Sequence, residues 1–276
     1  MNIGKYVQVY SEELLLKNYS HSTIKNYSCQ VELFLKYYES VATKPSEISE
    51  EKIKKWLLLA NSINGRKHRI SALKLFYKMV VRQPLKFKYI EYPRSETKIP
   101  QPLSEHEVQL LFSHCFNLKH KTILSLLFMC GLRVSEVINL KLANIDRTNM
   151  VLHIQGAKGH KDRIVPINTQ LLALFEKYYK QYLPVKYLFN GQFTDQYSQR
   201  SVNEFIKQIG AKAGIKKHLH SHLGRHSCFS QMLANGVDMA KIQTIAGHNN
   251  IKTTQIYAKT TPFIIQNTNP YQSLSL

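Results

Sequence analysis

The sequence predicts a mainly α-helical protein with one small β-sheet, divided into two domains. Three observations predict it. Apolar residues recur at helical spacing from Tyr6 to Val81. Three prolines and no periodicity then interrupt the chain in "YPRSETKIPQPLS". Beyond that break, further helical runs surround two short segments of strict alternation. At 276 residues the chain is long enough for each domain to bury its own core. The break lies near residues 93 to 102, giving a helical domain over 1–95 and a mixed α+β domain over 102–276.

In the first domain, "YVQVYSEELLL", "TIKNYSCQVELFLKYY", "EEKIKKWLLLA" and "ISALKLFYKMVV" each present one apolar face, which reads as four helices and no sheet. Ser22 and Ser49 stand where N-caps belong. The second domain opens with "LSEHEVQLLFSHC", in which Ser104 and Glu107 have the spacing of a capping box. The apolar helix "KTILSLLFMC" follows, with Gly131 placed to end it, and then the short helix "RVSEVINLK". "MVLHIQ" and "DRIVPI" alternate on either side of the turn-like "GAKGHK", a β-hairpin with Lys158 at or beside its tip. Helical runs resume at "TQLLALFEKYYKQYL", "SVNEFIKQIGAKAG", "GRHSCFSQMLANG", "DMAKIQTIAG" and "IKTTQIYAK", with Gly214, Gly236 and Gly247 as stops.

Lys and Arg number 38 against 18 Asp and Glu, a formal charge of +20. Through Lys98 the count is 18 against 9, and after it 20 against 9, so both domains are basic. Charge spread over two folded units suits a polyanion gripped by both, most economically nucleic acid. No basic amphipathic segment stands apart from a core-forming pattern, so a membrane surface is not the expected partner. The four cysteines form no CxxC pair and lie among apolar neighbours, as free thiols do in a reducing compartment. The most apolar stretch, "TILSLLFMCGL", is too short to span a bilayer, and "MNIGKYVQVYSEELLLK" lacks the apolar run of a signal peptide, so the expected location is the cytoplasm.

Phosphodiester chemistry without a metal needs cationic donors on the non-bridging oxygens, a nucleophile, a proton acceptor and an acid for the leaving oxygen. Arg133 and Glu136 share a helix face, where the carboxylate can hold the guanidinium. His222 and Arg225 have the same separation and aim an imidazole and a second guanidinium at one target. Lys158, between Gly156 and Gly159, can carry an ammonium into a groove; Gly247 leaves His248 pointing out of a turn; and Tyr257 follows nine residues on. Taken singly, each has a plainer reading: a surface ion pair, a solvated turn, a core tyrosine. The specificity lies in the ordered set. His218, His220, His222 and His226 do not make an HExxH arrangement and have no cysteine or carboxylate nearby, so no metal is expected. The chain also lacks a GxxxxGK[ST] loop and clustered carboxylates, which agrees with a phosphodiester exchange that needs no nucleotide or other cofactor.

"GLRVSEV", "GAKGHKDRIVP", "HSHLGRHS" and "AGHNNIKTTQIYAK" resemble, in order and spacing, the successive active-site segments of tyrosine recombinases of the phage-integrase and Xer type. The resemblance covers nearly the whole chain. The first domain resembles that family's SAM-like core-binding domain, and "KIPQPLSEHEV" its usual lead into the catalytic domain. It implies a site-specific DNA recombinase that clamps duplex DNA between two domains and works through a 3′-phosphotyrosyl intermediate. Integration, excision, inversion and dimer resolution share that chemistry. The resemblance further implies a homotetramer on two synapsed DNA sites, held by a C-terminal segment lent to a neighbour, for which "PFIIQNTNPYQSLSL" is the candidate. With no further domain ahead of Met1, recombination at short sites is the expectation.

Residue by residue, the resemblance gives Arg133 and Arg225 the role of activating guanidinium groups, Glu136 that of orienting carboxylate and Lys158 that of general acid. It makes His222 the proton acceptor, His248 a phosphate hydrogen-bond donor and Tyr257 the nucleophile. The chain departs from the family pattern at Ala246, where leucine is frequent, at "CFSQ" after Ser227, and at Gly224, where an aliphatic residue is frequent. Gly224 is expected to loosen the entrance of its helix. A type IB topoisomerase would share nearly the same residues, and the short chain and Xer-like segments favour the recombinase over it; a non-catalytic DNA-binding protein would share the clamp, and the intact set of side chains argues against that reading.

Overall fold

A computed structural model describes residues 1–94, 101–155, 162–247 and 254–255. The chain divides into two units, Met1–Thr97 and Lys98–Leu276. The first contains α1 (Ile3–Leu16), α2 (His21–Tyr37), α3 (Glu50–Leu58) and α4 (Ile63–Met79), the four helices the periodicity predicts. Ser49 caps α3, its side chain accepting from the Lys52 N–H. At α2 the cap is Ser20 and not Ser22: Ser20 Oγ accepts from the Thr23 N–H, and Ser22 already lies inside the helix. The apolar faces meet around Tyr10, Phe34, Trp56, Phe76 and Tyr77. The buried phenols of Tyr10 and Tyr77 donate to the Ala72 and Pro45 carbonyls, each at 2.8 Å, so neither hydroxyl is left unpaired in the core.

The second unit contains α5 (Glu105–Ser113), α6 (Leu118–Phe128), α7 (Val134–Asn139), α8 (Thr169–Tyr182), α9 (Gln199–Lys212), α10 (Ser221–Ala234) and α11 (Met239–Ala246). Among the described residues its sheet has three strands, β1 (Ile145–Asp146), β2 (Val151–Ile154) and β3 (Arg163–Pro166), in the order β1-β2-β3 and antiparallel throughout. The hairpin is the one the alternation predicts. The two-residue β1 is too short to leave a periodic signature. The predicted capping box is present: Ser104 Oγ accepts from the Glu107 N–H at 3.2 Å, and Glu107 Oε2 from the Ser104 N–H at 2.7 Å. Lys217 holds the same carboxylate at 2.7 Å and the Pro102 carbonyl at 2.8 Å, tying the start of the unit to the segment before α10.

Every residue of α6 from Thr122 to Phe128 is buried, and α7, α8, α9 and α10 all pack against it. That apolar helix is the axis around which the other parts are placed. Gly131 follows it with φ +63°, and the Leu132 N–H returns to the Leu126 carbonyl at 3.1 Å. Gly214, Gly236 and Gly247 stop α9, α10 and α11 with φ of +68°, +79° and +62°. Gly224 does not loosen α10, which starts earlier than the sequence suggested and runs through it. A Cβ there would stand 3.1 Å from Leu127 Cβ and 3.0 Å from the Phe128 ring, so the missing side chain lets α10 press closely on α6. Among the described residues, no helix is long and apolar enough to cross a membrane.

At Gly131 a Cβ would meet Phe229 Cζ at 2.6 Å in addition to adopting a left-handed backbone, whereas at Gly236 nothing lies within 4 Å. Gly131→Ala is therefore expected to cost about 2–5 kcal/mol of stability, backbone strain plus overpacking, and Gly236→Ala about 1–2 kcal/mol. Urea denaturation of the two variants side by side checks this, and equal losses would mean that Phe229 yields freely.

Candidate active site

The turn after α6 presents Arg133 at the head of α7. Arg133 is the N-cap residue, in extended conformation (φ −71°, ψ 148°), and Glu136 is the third residue of the helix. Such spacing lets the carboxylate fold back on the helix start: Glu136 Oε2 accepts from the Arg133 N–H at 2.8 Å and Oε1 from Arg133 Nη1 at 2.9 Å. The Arg133 side chain remains 24% exposed while that of Glu136 is 9% exposed. One edge of the guanidinium is thus held by protein, and the side chain as a whole stays partly accessible.

Arg225 comes to the same turn from α10. Its Nη1 donates to the Gly131 carbonyl at 2.7 Å and its Nη2 to the Ala246 carbonyl at 2.5 Å, while its guanidinium carbon lies 4.7 Å from the centre of the Phe229 ring. Only 1% of Arg225 is exposed. Bonds to carbonyl oxygens orient a guanidinium without cancelling its charge. Placing that charge beside Gly131, two residues before Arg133, sets both predicted arginines around one turn.

His222 lies one helical turn before Arg225, and the ring of His226 meets it edge-to-face at 4.6 Å. Burial holds His222 below the ordinary histidine value, and the charges of Arg225, His220 and Arg133 push it further down. His222 is therefore neutral at pH 7, with a lone pair free to take a proton. Burial lowers His226 to about 4, with His222, His220 and Arg225 adding to the effect. Among the described residues, no group of three or more His, Cys, Asp or Glu side chains is arranged to hold a metal ion.

One residue absent from the predicted set enters the centre of the site. Arg163, the first residue of β3, donates Nη1 and Nη2 to the two oxygens of Glu136 at 2.8 and 2.7 Å, and Nε to the Ile245 carbonyl at 2.7 Å. Burial alone would raise the Glu136 carboxyl. The hydrogen bonds and charge of Arg163, followed by the backbone and side chain of Arg133, outweigh it and hold the group down to about 2. A signal was present in the sequence: "DRIVPI" alternates, and Arg163 falls on the same inward face as Val165. A cation on the buried side of a strand needs a buried partner.

Four of the seven predicted side chains, Arg133, Glu136, His222 and Arg225, are therefore gathered at the junction of α7, α10 and α11. Lys158, His248 and Tyr257 lie outside the described residues.

Residues 101–262 match the phage integrase family, and residues 7–87 match the phage integrase N-terminal SAM-like domain. The chain is 34% identical over 263 residues to tyrosine recombinase XerA of Pyrococcus horikoshii, covering 92% of this chain and 89% of the relative. It is 31% identical over 275 residues to a tyrosine recombinase of Thermosipho africanus, covering 92% and 95%. Among solved structures, that of a XerA recombinase matches with a TM-score of 0.59 at 28% identity, over 99% of this chain and 100% of the other. The XerH recombinase bound to its difH substrate shares the fold, with a TM-score of 0.73 at 18% identity over 91% and 80% of the two chains. Both units of the fold, the arginine-rich turn and these relatives agree, and the chain belongs to the phage integrase family as a Xer-like tyrosine recombinase.

Proposed function

We propose that this protein is a site-specific DNA recombinase in which Tyr257 attacks a scissile phosphate, forming a 3′-phosphotyrosyl bond and expelling a 5′-hydroxyl. The observation that carries the reading is the convergence of Arg133 and Arg225 on the turn at Gly131, with neutral His222 beside them. Two guanidinium groups fixed before the substrate arrives offer donors to the non-bridging oxygens of a phosphate whose charge grows in the transition state. His222 takes the phenol proton, because tyrosine, with a reference pKa near 10, attacks poorly while protonated. Lys158 gives a proton to the departing 5′-oxygen, and His248 donates a hydrogen bond to the phosphate. A second strand's 5′-hydroxyl then reverses the step. One phosphodiester is exchanged for another, so the bond energy is kept and neither nucleotide nor metal is called for.

Double-stranded DNA is the partner. The family, the solved relatives bound to DNA and the basic charge of both halves support that assignment. We also propose a homotetramer on two synapsed sites, joined by the segment after Thr261, acting in the cytoplasm.

Wild type and Tyr257→Phe, incubated without divalent metal on a nicked duplex that traps the cleaved strand, separate the reading from a binding protein. Wild type is expected to leave a covalent protein–DNA band on a denaturing gel, and the phenylalanine variant to bind equally and leave none. An adduct with the variant, or none with wild type on its own site, would falsify the assignment of Tyr257.

A histidine held below its ordinary value stays neutral further into acid. The unfolded chain takes up the proton first as pH falls, so stability is lost between about 6.5 and about 4, the window set by His226. The single-turnover cleavage rate is expected to be level at neutral pH and to fall on the acid side with a midpoint below 6.5, as His222 becomes protonated. His222→Ala should lose that limb; a midpoint at or above 6.5 would contradict a neutral acceptor.

Ending the chain after Thr261 is expected to leave binding to a single site within about twofold while reducing recovery of two-site complexes in gel-shift assays. Unchanged two-site complexes would remove the tail from the assembly.

A further inference from the structure

We infer that Arg163 is a positioning residue for this active site, acting through Glu136 on Arg133 and through the Ile245 carbonyl on the end of α11. The inference rests on the catalytic reading above and extends it to a residue with no place in that mechanism. Its warrant is geometric. The Arg163 fork spans both oxygens of Glu136, so it fixes the carboxylate in position and in rotation, and Glu136 Oε1 is the same atom that accepts from Arg133 Nη1. The orientation of Arg133 is therefore no better defined than the grip of Arg163 on Glu136.

The third bond extends the coupling. Nε donates to the Ile245 carbonyl in the last turn of α11, and the side chain lies flat against Gly247, where a Cβ would stand 2.9 Å from Arg163 Cδ. Arg225 Nη2 takes the neighbouring Ala246 carbonyl. One helix end thus registers two arginines, one on β3 and one on α10. Arg163 is also the first residue of β3, paired with Ile154 of β2. The helix that carries Glu136 thus meets this guanidinium directly, and the helix that carries Arg225 meets the adjacent carbonyl of the same α11 end.

Lysine cannot replace it: an ammonium keeps the charge but lacks the planar fork and the Nε donor, so it can hold Glu136 without fixing its rotation. The wild-type chain, Arg163→Lys, Arg163→Gln, Glu136→Gln and the double variant Arg163→Gln/Glu136→Gln are compared on a nicked duplex. The duplex bears the site recovered by selection from a random-sequence pool. Dissociation constants, single-turnover cleavage rates at saturating protein and urea unfolding curves are measured for each. A positioning role predicts binding within about twofold, cleavage slower by ~10–100-fold in Arg163→Lys although the protein is folded, and a double variant no slower than Glu136→Gln alone. Arg163→Lys cleaving at the wild-type rate, or single-variant losses that multiply in the double variant, would overturn it. So would a cleavage loss matched by the unfolded fraction. Absence of any wild-type adduct overturns the catalytic reading itself, a result distinct from each of these.

Discussion

The catalytic unit is organised around one carboxylate. Glu136 accepts from the Arg133 backbone, the Arg133 guanidinium and both ends of the Arg163 fork, with its side chain 9% exposed and that of Arg163 5% exposed. Removing ions from water costs several kcal/mol for each, and the cost is recovered only where geometry is good and the remaining donors are satisfied. Here the remaining Arg163 donor finds the Ile245 carbonyl. Such an arrangement tolerates little displacement, because deleting Glu136 leaves Arg163 buried without its carboxylate, and deleting Arg163 leaves the buried Glu136 with Arg133 alone. The chain has accepted that intolerance at the place where angular accuracy matters to the proposed reaction.

Helix ends provide the other half of the device. The last carbonyls of an α-helix have no partner within the helix and carry its negative pole. Ile245 and Ala246 at the end of α11, and Gly131 in the turn beyond α6, direct their oxygens to Arg163 and Arg225. Gly131 and Gly247 have positive φ, which lets each chain turn away sharply and leave those oxygens accessible. Gly247 adds the absence of a side chain, since Arg163 fills the space a Cβ would need. Arg133, Arg163 and Arg225 bring three guanidinium charges to a region where Glu136 supplies one carboxylate. The resulting positive potential suits a phosphate, and it is built before any phosphate arrives.

Much of this was legible in the sequence where the determinants are local. The capping box at Ser104 and Glu107, the stop at Gly131 and the alternation of the hairpin each depend on a few adjacent residues, and each is found where the pattern puts it. Ser20 was missed as the cap of α2 because Ser22 satisfies the same composition rule, and only the Thr23 N–H decides between them. The two-residue strand β1 exists through its pairing with β2 and has no pattern of its own. Gly224 looked like a weak point because propensity treats a helix as isolated, whereas Leu127 and Phe128 occupy the space it vacates. Arg163 was hidden for a related reason: motif reading ranks residues by the chemistry they could perform, and among the described residues this one meets the predicted set through Glu136.

Two kinds of cationic side chain share the site, and burial treats them differently. A guanidinium keeps its proton throughout the working pH range, so Arg225, 1% exposed, is a fixed source of positive potential. An imidazole under the same pressure releases its proton, and each neighbouring guanidinium drives it further toward the neutral form. Burial, with the charges of Arg225, His220 and Arg133 adding to it, therefore keeps His222 able to accept a proton at neutral pH. Charge stabilisation and proton acceptance, which would compete in a pair of similar residues, are separated by one environment acting on two different intrinsic acidities. Replacing Arg225 by histidine would on this argument remove more than one donor. It would exchange a permanent charge for a titrating one and relieve part of the repulsion that adds to burial in holding His222 neutral.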